Sequence, residues 1–126
     1  MIQLLLDTNV VLWLSQDNPR IEQIKPLLSL EEAQVYISSV SWWEIAIKVR
    51  AGKLEVDIEK LLSLTKEYGY SELPMTSIYQ KAYMELPVLH KDPFDHMLLA
   101  QAITCPMRLI TGDEMLAEYS SLVMTI

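Results

Sequence analysis

The sequence predicts an α/β domain built on a mostly parallel sheet, on three observations. Short apolar runs alternate with helical stretches along the whole chain. The run at 2–6 is almost continuously apolar, as a strand buried on both faces is, and 107–111 reads as a buried strand again. No internal repeat or low-complexity linker interrupts the alternation. A chain of 126 residues is a single-domain length, enough to bury roughly two-thirds of its unfolded surface, so residues 1–126 are expected to form one domain.

Each element follows from local chemistry. Residues 2–6 form the first strand, ended by Asp7, and Asp7, Thr8 and Asn9 offer caps for a short helix over 10–14. The turn formers Asp17, Asn18 and Pro19 close that helix. Ile21, Ile24, Leu27 and Leu28 recur at helical spacing, and Pro26 leaves the boundaries of that helix open. Residues 34–38 read as the second strand. The next helix spans 41–51: Ser41 and Glu44 have the spacing of a capping box, Lys48 and Arg50 lie in the last turn, and Gly52 is the stop. Residues 57–68 repeat the scheme, with Gly69 as stop. A short third strand is expected over 72–75, then a helix over 77–86 ended by Pro87. Asp92 as N-cap and Pro93 at the first helical position open a helix running to 103. Strands at 107–111 and 122–126 complete the chain.

Composition excludes several classes of protein. No run approaches the roughly 20 apolar residues that span a bilayer. The opening MIQLLLDTN places an acid where a signal peptide would continue apolar. A single cysteine, Cys105, has no partner for a disulfide and no CxxC spacing for zinc, which fits a reducing cytoplasm and an inert core thiol. A formal charge of −7 and an isoelectric point of 4.7 argue against broad electrostatic attraction to nucleic acid, unless bound cations invert the local field. Apolar content of 51%, with seven Met, gives adaptable surface suited to a partner.

The chemistry resides in Asp7, Glu44, Asp95 and Asp113. Right-handed crossovers make the strands run one way, so strand carboxyl ends and helix amino ends share one edge of the sheet. Asp7 ends the first strand, Glu44 lies just after the second, Asp95 opens the helix that feeds the fourth, and Asp113 follows the fourth. Topology therefore gathers them at the edge where α/β ligands bind. Each acid alone also reads as a helix cap, a dipole partner or, for Glu44, an exposed pair with Lys48. Capping does not require an acid on every unit, because Ser, Thr and Asn serve it without mutual repulsion. Hard oxygen donors in a cluster suit Mg²⁺ or Mn²⁺, which activate water and neutralise charge in phosphodiester cleavage. That chemistry needs no nucleophilic side chain. No GxSxG elbow, Cys–His pair, HExxH or glycine-rich phosphate loop is present.

Four blocks carry a resemblance: LLLDTNVVLWL at 4–14, SVSWWEIAIKVRAGKL at 39–54, HKDPFDHMLLAQA at 90–102 and LITGDEML at 109–116. In this order they resemble the PIN domain, in particular the VapC-like ribonuclease toxins of toxin–antitoxin pairs, and HxDPFD is the most specific of them. The resemblance implies a three-layer fold with sheet order 3-2-1-4-5 and places the family's acidic site on Asp7, Glu44, Asp95 and Asp113. It implies Mg²⁺- or Mn²⁺-dependent endonucleolytic cleavage of RNA, an antitoxin that blocks the site, and a homodimer. Thr8 and Asn9 would support the first acid, and Thr111 would orient water or metal near Asp113. His96 stands where related sequences often carry Arg, so a phosphate-touching cation is replaced by an imidazole. His90 and His96 are assigned capping or core roles, and Asp92 capping. Trp13, Trp42, Trp43 and Phe94, at helical spacing among aliphatics, are expected in the core. Lys48, Arg50 and Lys53 form the densest basic cluster.

Two other functions compete with the ribonuclease. One is a catalytically silent PIN-like module that holds a protein partner. The other is an aspartate-pocket signalling receiver, which lacks the acceptor Asp after a central strand and the Lys after the last.

Overall fold

The computed structural model describes residues 1–88 and 90–126. Its sheet is parallel throughout, in the order β3-β2-β1-β4-β5, from β1 (Ile2–Leu6), β2 (Ala33–Ser38), β3 (Ser71–Leu73), β4 (Arg108–Thr111) and β5 (Val123–Thr125). This is the expected order. The chain moves outward from β1 through β2 to β3, then crosses to β4 and β5 on the other side, so the strand order reverses between β1 and β4.

Alternation along β1 separates two cores. Leu4 and Leu6 are fully buried on one face, with Val35, Ile37 and Ile110 beside them and Val10, Val11 and Leu61 packed from the helices α1 (Thr8–Leu14) and α5 (Ile58–Glu67). Leu5 is fully buried on the other face, with Leu109 and with Leu98, Leu99 and Ala102 of α7 (Pro93–Thr104). The three layers follow from this period of two. Among the described residues no helix is long and apolar enough to cross a membrane.

Beyond shifts of one or two residues at the ends of other elements, three differences from the expected boundaries have a physical reason. The 21–28 stretch divides into α2 (Pro19–Glu22) and α3 (Lys25–Leu28), because Pro26 has no N–H to continue a helix and settles into the first turn of a new one. The 77–86 stretch begins as a 3₁₀ turn, Ser77–Tyr79, before α6 (Gln80–Glu85). The third correction concerns α4 (Ser39–Arg50), which starts directly after β2 with Ser38 as its cap, accepting from the Val40 N–H at 3.1 Å. Ser41 is therefore not a capping residue. It is fully buried and accepts a hydrogen bond from Thr8 Oγ1 at 2.9 Å, which moves Glu44 from the first turn of α4 into the second. Gly52 and Gly69, with φ of 73° and 78°, end α4 and α5 in the left-handed conformation expected of stops.

Gly112, just past β4, is constrained by space. A Cβ there would lie 2.5 Å from Trp13 Cη2 and 2.9 Å from Arg20 Nη1, and those two side chains already share a cation–π contact of 4.9 Å. Overpacking of this kind costs about 1–3 kcal/mol. Gly112→Ala is expected to lower the melting temperature by about 5 °C. Unchanged melting would mean that Trp13 and Arg20 yield freely.

Candidate metal centre

The acids gather where the strand order reverses. The Asp7 N–H donates to the Ile110 carbonyl at 2.9 Å, which links the carboxyl ends of β1 and β4. Asp7 is 4% exposed; its Oδ1 accepts from the Thr8 N–H and its Oδ2 from Thr111 Oγ1, both at 2.7 Å. Thr111 Oγ1 also accepts from the Asp113 N–H at 3.0 Å, so one hydroxyl braces Asp7 and sets the start of the Asp113 loop. The sequence reading placed Thr111 beside Asp113 alone. The same hydroxyl, besides meeting the Asp113 N–H, serves Asp7, 104 positions earlier.

Glu44 is 6% exposed. Its Oε2 meets Lys48 Nζ at 3.2 Å, whereas its buried Oε1 has no partner among the described residues. Leaving a buried carboxylate oxygen unmatched costs several kcal/mol in order of magnitude unless a cation or donor meets it. Asp92 caps α7 as expected, accepting from the Phe94 and Asp95 N–H groups at 2.9 and 3.3 Å. That cap holds Asp95 in the first turn. Asp113 caps the 3₁₀ turn Glu114–Glu118 through the Met115 N–H at 2.9 Å. For Asp113, capping and convergence coexist, since Oδ1 caps while Oδ2 makes no hydrogen bond among the described residues; for Asp7 both oxygens accept one hydrogen bond each, and each keeps a further lone pair.

The electrostatics follow from this crowding. Burial, then the carboxylates of Glu44 and Asp92, push Asp7 up to about 6 against the lowering effect of its two hydrogen bonds. Burial, followed by Asp7, Asp92 and Glu44 and a hydrogen bond shared with Asp92, pushes Asp95 up to about 8. Ligand atoms of Asp95, Asp113 and His90 lie within 4.8 Å of one another, a span that one ion can bridge. Asp7 and Asp95 thus each interact with Glu44, with Asp92 and with one another, and Asp113 joins through Asp95. All four acids singled out from the sequence are in this group, with Asp92 and His90 added. The signal for both was present in the HxDPFD spacing.

Crowded carboxylates, two of them driven toward protonation, and an unmatched Glu44 oxygen are the donor set of a hard divalent cation. The residues fit Mg²⁺ or Mn²⁺. The 420 Å³ cavity lined by Ile37, Trp42, Thr65, Tyr70 and Glu72 lies between β2, β3 and α5 and contains none of the four acids. Burial and charge therefore locate the chemistry better than concavity does.

The remaining predicted residues divide. Thr8 supports Asp7 through its backbone N–H while its hydroxyl goes to Ser41; Asn9 is exposed. His96 is buried, with Nε2 3.1 Å from the Tyr119 hydroxyl, in line with a core role. Burial and the neighbouring His90 hold its pKa below the ordinary value, against a smaller opposing effect of Asp92. Trp13 and Trp42 pack on the core as expected. Trp43 does not: it is 63% exposed and touches Phe94 edge-on at 5.5 Å.

A parallel α/β fold with an acidic centre at the carboxyl edge of its two middle strands defines the class of this molecule. Residues 4–122 match the PIN domain family, and the chain belongs to it. No curated protein matches in sequence. Among solved structures, the fold is similar to that of VapBC2 from Rickettsia felis bound to a promoter DNA fragment (TM-score 0.75, 17% identity, 98% of each chain covered). It is also similar to a toxin–antitoxin complex from Klebsiella pneumoniae (0.70, 18%, 96% of this chain and 95% of that one). A third similar structure is DNA-bound VapBC from Salmonella typhimurium (0.68, 15%, 100% and 98%).

Proposed function

We propose that this chain is a divalent-metal-dependent endoribonuclease, one nuclease domain over residues 1–126, acting as the toxin of a toxin–antitoxin pair in the cytoplasm. The observation that carries the reading is the convergence of Asp7, Glu44, Asp95 and Asp113 on one sheet edge with a buried Glu44 oxygen left unmatched. Those four would hold Mg²⁺ or Mn²⁺. A bound divalent ion supplies Lewis acidity, a water nucleophile at neutral pH and charge neutralisation at a phosphodiester.

The protein's own contribution is arrangement. Thr8 and Thr111 fix the Asp7 carboxylate, so its position is set before any ligand arrives. Lys48 holds one oxygen of Glu44 and leaves the other buried and unmatched. Lys48 also places a cation beside a chain of net charge −7, where an RNA backbone needs one. The structural relatives are toxin–antitoxin complexes, which supports an antitoxin partner here. Exposed Ile78, Met84 and Val88 around α6 offer apolar surface for an antitoxin or for a second copy in a homodimer.

The test is incubation of purified protein with structured and single-stranded RNA plus Mg²⁺ or Mn²⁺, beside Asp7→Asn. Cleavage by the wild type that is lost with chelator and in the variant supports the reading. Equal cleavage by both sinks it. No cleavage, together with a tight partner complex and no metal binding in calorimetry, would make the domain a silent protein-binding module.

A further inference from the structure

Arg20 is an exposed cation held in place beside the loop that carries Asp113. It lies in the first turn of α2, with its guanidinium carbon 4.9 Å from the centroid of the Trp13 ring. The same group presses on the residue after β4: a Cβ at Gly112 would lie 2.9 Å from Arg20 Nη1, so the missing side chain there is what leaves the guanidinium its place. Consecutive Cα atoms are about 3.8 Å apart, which puts Nη1 within about 8 Å of the Asp113 Cα. No carboxylate lies in ion-pair range of Arg20 among the described residues, and Glu22, two positions on, is taken by Lys25 at 2.7 Å.

Stacking on Trp13 uses the face of the guanidinium and leaves its edge, a planar fork of N–H donors that matches phosphate oxygens, open to an anion. Packing alone would need only an apolar stem. The ring contact orients the side chain before any ligand arrives, so less rotamer freedom is lost on binding. We infer that Arg20 is a substrate contact, its guanidinium binding a phosphate of the RNA strand next to the phosphate that reaches the acids. This rests on the ribonuclease reading. Arg20 stands beside the carboxylates and pairs with none of them, so it meets the strand one linkage away from the cut. It supplies from α2 the phosphate-binding cation that His96 does not provide in α7.

Two readouts test it. The first is binding of single-stranded RNA with Ca²⁺ as the added cation. Arg20→Met, which keeps an apolar stem on Trp13, is expected to bind about tenfold more weakly and to lower the slope of log affinity against log salt by about 0.7, one phosphate's share. Arg20→Lys, with the charge but not the fork, should recover about threefold of that. The second is cleavage with Mg²⁺, where Arg20→Met should raise KM about tenfold with kcat within about twofold, because a flanking contact is the same in the bound substrate and in the transition state. Replacing in turn the two phosphates beside the cut by uncharged methylphosphonates should cost the wild type about tenfold at one of them, and Arg20→Met nothing further there. An unchanged salt slope, a loss confined to kcat, or an equal cost of the uncharged linkage in both proteins overturns the inference, as does an Arg20→Met effect seen only on a complex with a partner protein. Should Arg20→Met fail to fold, Arg20→Lys and the wild-type methylphosphonate series decide. A wild type that cuts RNA no better than Arg20→Met ends the inference and leaves the ribonuclease reading standing; a wild type that neither binds nor cuts RNA removes both.

Discussion

Asp95→Asn is expected to abolish RNA cleavage and, in the same molecule, to stabilise the metal-free protein. The first effect is a rate loss of about a thousandfold, the scale on which removal of one charged member disables a preorganised site. The second follows from what the fold does to this carboxyl. Burial, with Asp7, Asp92 and Glu44 around it, holds Asp95 at about 8, so near neutral pH the fold resists its charge. The amide keeps the shape and removes the repulsion. Sites that trade stability for function show this opposition, whereas caps do not: removing a stabilising cap lowers melting temperature. Here the cap is Asp92, and the Asp95 side chain caps nothing. Initial rates with Mg²⁺, and melting in chelator at pH 8, read both effects. A variant with undiminished rate, or one that melts lower than wild type in chelator, would leave Asp95 as an ordinary structural residue.

What the sequence disclosed and what it concealed divide along the range of the interactions. β1 falls on residues 2–6 as expected, and Asp92 with Pro93 opens α7 as expected, because apolar continuity and capping are local. The four acids were also legible, since parallel topology fixes where strand ends and helix starts lie whatever the loops do. Hidden were the contacts made by chain segments far apart. Ser41 has the spacing of a capping box with Glu44, and only the Thr8 hydroxyl, 33 positions away, reveals that it is a buried residue inside α4. Thr111 belongs to Asp7 for the same reason. Trp43 shares its helical spacing with core aromatics yet is exposed, since α4 feeds both cores and its remaining face is left to solvent. The place of Arg20 became visible only once Trp13 and Gly112 were beside it.

The stability of the metal-free protein should fall as pH rises from about 4 to above about 8, and a divalent cation should reverse the fall most strongly at the alkaline end. Asp7 and Asp95 both start from 3.8 in the unfolded chain and stand at about 6 and about 8 when folded. A raised folded-state value means that the native state holds protons the unfolded state has released. Between 3.8 and the folded values stability therefore declines with pH. The contribution is complete below the unfolded value and is lost as pH passes about 6 for Asp7 and about 8 for Asp95. Asp95 keeps enough solvent contact that screening weakens its share, so Asp7, nearly enclosed, should set the first part of the slope. Mg²⁺ or Mn²⁺ binds the ionised acids and competes with the same protons. At a hundredfold excess over its dissociation constant it adds about 2.7 kcal/mol, an increase in melting temperature of about 10 °C at pH 8 that shrinks toward zero near pH 5. The general repulsion of a chain at net charge −7 also lowers stability as pH rises, so the double variant Asp7→Asn, Asp95→Asn is the control. It should retain that gentle background slope and lose both the steep part and the metal response. A wild-type curve in chelator that parallels the double variant, with the same cation response at pH 5 and pH 8, would show that these carboxylates carry no unusual charge cost and would remove the physical case for a metal at this edge.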